Sequence, residues 1–454
     1  MESLFLQYVD KYLQPAMTKL SEKYNEKDAE QSLMFKTMLQ EEYTSDDTWS
    51  NATLKHSIVA ADVVSMDSSL PLKKRDAISA ATGKISKIGM KMQMRESEYK
   101  RIKIIEKTGT QTEQQIAAKI LADPKRCAKG VDVRIEILFL QALSTGMVAI
   151  PDYDTPTEGT RVSFGYKEEN TFHATAKWSA ASGVTPLDDL NKMFSKATDD
   201  GKVINHILIS EKYFNLMRKT VQVKRLVAEW AGQIVINNAD LGQPSRANTL
   251  AALKDEYGAE FHIVKSSLRT ENPDGSRDTI QAWEEGNIIG VPSMQVGRLV
   301  YGTLAEEMEK LPQVSYSKFG TYTLIKKWGD TDPFREYSAA ETLALPVIDD
   351  TDSIYILEAD ATSADQFTTT PEALTFTAKA GTQTADVHVV DSTATITASV
   401  PSAAQSWLTA TVKNGDKITV KVTANNADEA TIRTANITVS DGTNSATLAV
   451  SQSA

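Results

Sequence analysis

Seven times between Leu374 and Val450, apolar side chains recur at every second position, a spacing that only a strand with one buried face satisfies. The runs are Leu374 and Phe376, Val387 and Val389, Ile396 to Val400, Leu408 to Val412, Ile418 to Val422, Ala435 to Val439, and Ala446 to Val450. Threonine fills many intervening positions, such as Thr409, Thr411, Thr419 and Thr438, so the outer face is polar yet β-branched. Asn414-Gly415 and Asp441-Gly442 are hairpin-turn pairs. Short strands joined by regular turns predict an immunoglobulin-like β-sandwich over residues 370–454. Composition marks its border. From Ala361 onward threonine supplies 20 of 94 residues and tyrosine vanishes. The small, polar stretch Glu358 to Thr370 reads as a linker, cut here at 361–369.

Residues 71–360 mix helical and strand patterns without a regular strand–helix–strand repeat, which favours an α+β body over a doubly wound sheet. Residues 1–70 are polar and weakly periodic and read as an N-terminal arm with short helices. Between Pro71 and Lys107 there are eleven Lys or Arg against four Asp or Glu. Met90, Met92 and Met94 alternate with Lys91, Gln93 and Arg95, and Ile102 and Ile104 continue the period of two. A long hairpin over about 84–107 is therefore expected. Its charge reads as a solvated face or salt bridges, with nucleic-acid contact as the other reading.

Thr112 and Gln115 have capping-box spacing, and Asp123-Pro124 supplies a cap and a first-turn proline. Val131, Ile135, Leu138, Phe139 and Ala142 share one face of a long helix over about 131–145, closed by Gly146. Alternation in Val162 to Tyr166 and in Phe172 to Trp178, around Glu168-Glu169-Asn170, suggests a hairpin. Thr185-Pro186 opens a helix, Ile204 to Ile209 is an apolar strand leading into a helix capped by Ser210, and a further helix ends at Gly258. Strands follow at Phe261 to Val264, at Thr279 to Trp283 after a Pro273-Asp274-Gly275 turn, at Ile288 to Val291, and at Leu299 to Tyr301.

Chemistry is hard to find. Net charge is −11, against bulk electrostatic binding of nucleic acid. Cys127, the single cysteine, cannot form an internal disulfide, and basic neighbours Lys125, Arg126 and Lys129 do not by themselves make it a nucleophile. No signal peptide and no run of about 18 uncharged apolar residues is expected to direct or span a membrane. His56, His173, His206, His262 and His388 lie far apart in sequence and show no metal-ligand spacing. His206 and His262 sit in apolar strand patterns and read as satisfied core residues. The acidic pairs Asp188-Asp189, Glu284-Glu285 and Asp349-Asp350 read as solvated charge at helix starts or loops. No catalytic residue, cofactor or metal ligand is assigned.

The ordered series in the body resembles the major capsid proteins of lambda-type tailed phages, which share the Hong Kong 97-type fold. It comprises Arg134-Ile135-Glu136 with Gln141-Ala142-Leu143 and Gly146, then Asn205 to Ser210 with Phe214 and Leu216. Glu256-Tyr257-Gly258, Gly286, Pro292, Gly297 and Tyr301-Gly302 follow, and Asp332-Pro333, Leu345-Pro346-Val347 and Ile354 close it. The tail is similar to the Bacteroidetes-associated carbohydrate-binding (BACON) family through Trp407-Leu408, Ile418-Thr419-Val420, Asn425, Arg433, Ile437 and Gln452. The resemblance implies a virion shell protein assembled in the bacterial cytoplasm as hexamers and pentamers. It also implies scaffold, portal and decoration partners, DNA enclosed indirectly, and host or mucosal glycans as possible ligands of the tail. The long helix becomes a spine helix, residues 200–310 an axial domain, and residues 84–107 an extended loop lying on a neighbouring subunit. Lys84, Lys87, Lys91 and Arg95 are then inter-subunit contact candidates, and Trp407 a candidate glycan contact. A carbohydrate-active enzyme or a surface adhesin with a sugar-binding module are the alternatives.

Overall fold

A computed structural model describes residues 2–25, 33–46, 48–54, 78–150, 160–180, 183–233, 241–271, 276–362, 367–388, 395–413, 417–425, 432–442 and 444–453. The fold is mixed α+β and divides into two compact units. One comprises Met1–Asn170, Lys196–Glu211 and Leu253–Ile356, the other Thr171–Ser195, Lys212–Ala252 and Leu357–Ala454. The region 200–310, expected as one axial domain, is thus shared between them.

The first unit is built on a long helix and a long strand. The helix Ala122–Thr145 buries Cys127, Val131, Ile135, Leu138, Phe139, Ala142 and Leu143. It begins nine residues earlier than the apolar periodicity suggests, with Asp123 and Pro124 inside its first turn, where a carboxylate complements the helix dipole. Gly130 does not break it. A Cβ there would stand 2.5 Å from the Met90 sulfur, so the missing side chain lets the helix approach the strand Lys87–Arg95. The helix ends on Gly146, at φ 70°, with the Tyr166 ring packed where a Cβ would be.

Beside the helix, Phe334–Ile348 is a 15-residue strand with three neighbours. Thr323–Thr331 pairs with it from Thr331↔Phe334 to Leu324↔Glu341, and Lys87–Arg95 from Arg95↔Arg335 to Lys87↔Leu343. Gly297–Gly302 takes its C-terminal end, from Gly302↔Leu343 to Gly297↔Ile348. A Cβ on Gly297 would lie 2.1 Å from the Val347 carbonyl oxygen, which explains the glycine. Leu39–Tyr43 adds on parallel to Gly297–Gly302, and Ser315–Phe319 pairs with Thr323–Thr331, completing a six-stranded sheet.

Three expectations are corrected here. The strand at Lys87–Arg95 is present, but Glu96–Thr108 is a helix, so there is no hairpin over 84–107. The Glu98 carboxylate accepts the Arg95 backbone N–H, and Gly109 closes the last turn at φ 63°. Ile102 is buried and Ile105 packs beside it, at helical spacing, whereas Ile104 is exposed; the apparent period of two was coincidental. Thr48–Leu54 and Ile78–Lys84 do form an antiparallel pair. Second, Val162 to Trp178 is not a hairpin. Thr160–Ser163 pairs with Met147–Ile150, while Glu168–Asn170 is a 3-10 turn whose Asn170 amide donates to the Asp352 and Ile354 carbonyls. Third, the described part of residues 1–70 is built into the core: Phe5, Tyr8, Val9, Leu13 and Met17 are buried.

In the second unit the tail forms two four-stranded sheets over one core. One runs Thr368–Thr370, Gly381–His388, Lys417–Val422, Leu408–Lys413; the other Ala373–Phe376, Ser445–Gln452, Arg433–Ser440, Thr397–Ser399. Leu374, Phe376, Ile418, Val420, Ile437, Val439 and Leu448 fill the space between them. Phe367 belongs to this core and Thr368–Thr370 is a strand, so the linker is shorter than its composition implied. The Asp441 carboxylate accepts the Asn444 N–H at 2.6 Å across a turn in which Gly442 takes φ 95°. The Asn414-Gly415 and Pro273-Asp274-Gly275 turns lie outside the described residues.

Leu138 is 2 % exposed on the packed face of the long helix. Leu138→Ala is expected to lower unfolding stability by about 2–5 kcal/mol through the cavity it leaves. Urea titration followed by circular dichroism checks this; an unshifted midpoint means that the helix packs through another face.

Candidate functional site

Carboxylates on the long helix hold the N-terminal segment. The Glu136 carboxylate accepts the backbone N–H groups of Met34 and Phe35, each at 2.9 Å, capping the short helix Phe35–Met38. One turn earlier, Asp132 pairs with Lys36 at 2.7 Å and accepts the Tyr322 hydroxyl at 3.0 Å. Burial pushes the Glu136 carboxyl up to about 7, with the two N–H donors opposing and the Asp132 charge adding to it. A second buried group sits on the long strand. Glu336 accepts the Ser3 hydroxyl at 2.5 Å and the Leu4 N–H at 3.0 Å, and pairs with Lys327 at 3.1 Å. These are structural placements: each charge already has its partners.

The proposed contact residues are divided. Lys84 is exposed at the end of Ile78–Lys84, opposite Thr48. Lys87 pairs with Glu341 of its own chain at 2.8 Å, and Lys91 lies 5.4 Å over the Tyr337 ring. Arg95 is the cap position of the helix Glu96–Thr108, across the sheet from Arg335. Trp407 packs partly against the tail core, with the Arg433 guanidinium 5.9 Å over its ring.

Of the acidic pairs, expected as solvated charge, Asp189 and Asp349 are instead held by local partners. Asp189 is fully buried and accepts the Thr175 N–H, the Thr175 hydroxyl and the Trp178 indole N–H. Asp349 takes a two-pronged hydrogen bond from Arg298, at 2.7 and 2.9 Å, and Glu42 binds the same guanidinium. Glu285 enters through its backbone carbonyl, which accepts the Ser210 hydroxyl. Cys127 is buried, donates its thiol to the Ser338 carbonyl, and is pushed up to about 12 by desolvation, the condition of an inert structural thiol.

One grouping escaped the sequence. His206 Nδ1 lies 3.1 Å from His262 Nε2, and Glu260 is beside them; donor atoms of all three lie within 4.8 Å of one another. Both histidines are only partly buried, not core residues. Desolvation and the facing His206 hold the His262 imidazole below its ordinary range, opposed by Glu260. Spacing along the chain could not reveal this trio, because strand pairing creates it. No helix among the described residues is long and apolar enough to cross a membrane.

Residues 16–359 match the phage major capsid protein E family, and residues 393–453 match the BACON family, a binding domain named for N-terminal placement. The first match spans well over half of the chain, which therefore belongs to the phage major capsid protein E family. It is a structural protein, not an enzyme, with a separate C-terminal BACON domain. Among solved structures it is similar to a capsid protein of an Escherichia coli CFT073 prophage, at 16% identity and TM-score 0.43, covering 76% of this chain and 98% of that one. It is also similar to a phage-related protein of Bordetella bronchiseptica RB50, at 11% identity and TM-score 0.44, covering 77% and 97%. A third is a virus-like particle from Pyrococcus furiosus, at 10% identity and TM-score 0.36, covering 77% and 98%. The comparison with curated proteins gives no match.

Glu136 yields a pH test. Its carboxyl is raised from 4.5 to about 7 on folding, so the folded chain keeps a proton that the unfolded chain releases. The stabilisation is complete below about 4.5 and is lost as pH rises through about 7. Glu136→Gln should flatten this part of the stability profile while costing some absolute stability, since its amide NH2 confronts a backbone donor. Melting temperatures between pH 4.5 and 8 check it; an unchanged slope in the variant shows that Glu136 is not the titrating group.

Proposed function

We propose that this chain is the shell subunit of a tailed-phage head. It has the Hong Kong 97-type fold and assembles into hexamers and pentamers of an icosahedral shell that encloses double-stranded DNA. The capsid-family match over residues 16–359 carries the reading. The long helix laid on an extended sheet supports it, acting as the spine helix. Many modest interfaces closed by symmetry then replace any single strong one. The extended loop is reassigned from 84–107 to the paired strands Thr48–Leu54 and Ile78–Lys84, because Lys87–Arg95 is already committed to its own sheet. Assembly in the host cytoplasm with scaffold and portal proteins belongs to the same proposal.

The immunoglobulin-like tail is read as a decorating domain on the outer surface. From Ala361 to Ala454 there are eight Asp or Glu against five Lys or Arg, so packaged DNA would repel it. A stabilising or decorating role is favoured over glycan binding, because Arg433 and the domain core occupy the Trp407 ring.

Co-expression with the phage's scaffold should give capsomers or shells by electron microscopy; a strictly monomeric product would overturn the reading. Lys84→Glu should reduce particle yield without lowering the melting temperature. Lys87→Glu, which sets a second carboxylate against the partly buried Glu341, should lower the melting temperature. Equal yields for wild type and Lys84→Glu would remove Lys84 from the interface. Truncation after Thr362 keeps Ala361, whose carbonyl accepts the Ala174 N–H, and should leave shell formation largely intact. Loss of shells from the truncated chain means that the tail takes part in assembly. A glycan array comparing whole with truncated particles tests the tail; binding lost in Trp407→Ala without unfolding would favour a sugar site.

A further inference from the structure

The strands His206–Ser210 and Glu260–Val264 run parallel, with His206 opposite Glu260 and Leu208 opposite His262. Side chains two apart on a strand share a face, so this register sets His206, Glu260 and His262 on the same side of the sheet. Glu260–Val264 is the terminal strand of its sheet, and Glu260 is exposed. Two imidazoles and a carboxylate thus meet at a sheet edge, open to solvent on one side.

We propose that His206 Nδ1, His262 Nε2 and a Glu260 carboxylate oxygen form a binding site for a divalent transition-metal ion of the zinc class. The donors suit such an ion, which takes imidazole nitrogen and carboxylate oxygen at about 2.0–2.2 Å. Two nitrogens 3.1 Å apart, each bound at that distance, subtend about 100° at the ion, close to tetrahedral. Three protein ligands leave a fourth position for water. Lys254 holds Glu260 Oε1 at 2.5 Å, and the second oxygen is left for the ion. Without metal, one facing ring nitrogen must carry the hydrogen that the other accepts. On binding, that imidazole carries its proton on the far ring nitrogen, so both lone pairs point at the ion and no net proton is released. The ion would tie the edge strand to its neighbour more firmly than a single N–H···N bond.

The experiment is isothermal titration of the chelator-stripped full chain with zinc chloride, with cobalt(II) as an absorbance probe. Wild type should bind one ion per chain and gain melting temperature with zinc. Losing a direct ligand should weaken binding by at least the roughly tenfold seen for outer-shell losses, in His206→Ala, His262→Ala and Glu260→Gln alike. Glu260 is exposed, so Glu260→Gln should fold as wild type, and its metal-free melt verifies that. Lys254→Met should tighten binding by removing the competing cation. Zinc uptake equal in wild type and His206→Ala, or undetectable in wild type at millimolar zinc, would overturn the site. Wild-type affinity in Glu260→Gln, with loss in both histidine variants, would overturn the three-ligand assignment.

Discussion

The first unit depends on two carboxylates carried one turn apart on the inner face of a single helix. Buried charge is expensive unless its hydrogen bonds are complete. Glu136 meets that condition with the Met34 and Phe35 N–H groups, and Asp132 with Lys36 and Tyr322. The cost of burying these groups is offset only if the N-terminal segment returns to the same place. That segment then delivers Leu39–Tyr43 to the edge of the main sheet, parallel to Gly297–Gly302. Glu336 fixes the chain's beginning from the sheet side through Ser3 and Leu4. The described parts of this N-terminal stretch are therefore placed by polar contacts more than 90 positions away, added to the burial of Phe5, Tyr8, Val9, Leu13 and Met17.

Much of this was legible where information is local. The face Val131, Ile135, Leu138, Phe139, Ala142 is buried as its spacing requires, and the Thr112–Gln115 capping box is present. Among the described residues, the alternating runs of the tail each overlap a strand, Val389 lying outside those residues, since a period of two has few competing solutions over so many repeats. What failed was non-local or ambiguous. Ile102 and Ile104 satisfy a period of two, but Glu98 reaching back to Arg95 and Gly109 at the far end define a helix instead. Both signals were in the sequence and were outweighed by the methionine alternation before them. Tyr166 looks like a strand residue because it alternates with Phe164; in fact it covers Gly146.

Two histidines 56 positions apart illustrate the deeper limit. Each has apolar neighbours and reads as core when taken alone, and only the parallel register of their strands makes them a pair. The same holds for Lys87 and Lys91. Their charge is visible in sequence, but Glu341 and the Tyr337 ring come from a strand some 250 residues later. A basic run in such a protein therefore cannot be assigned to a neighbouring subunit until its own chain's carboxylates have been matched against it.

Applied to the described part of the basic stretch, that criterion separates the charges by what they can still do. Lys87 is neutralised within its subunit, and Lys100 and Lys103 pair with Glu96 and Glu106 along one helix. The Lys100–Glu96 pair is exposed at both ends and contributes only about 0–1 kcal/mol, so it tunes rather than builds the fold. Lys84 differs by position: it ends a strand of the Thr48–Lys84 pair, and its side chain is exposed beyond the main sheet's registered strands. An exposed charge with no carboxylate partner among the described residues of its own chain is the kind that complementary charge on another surface can meet without competition from the home sheet.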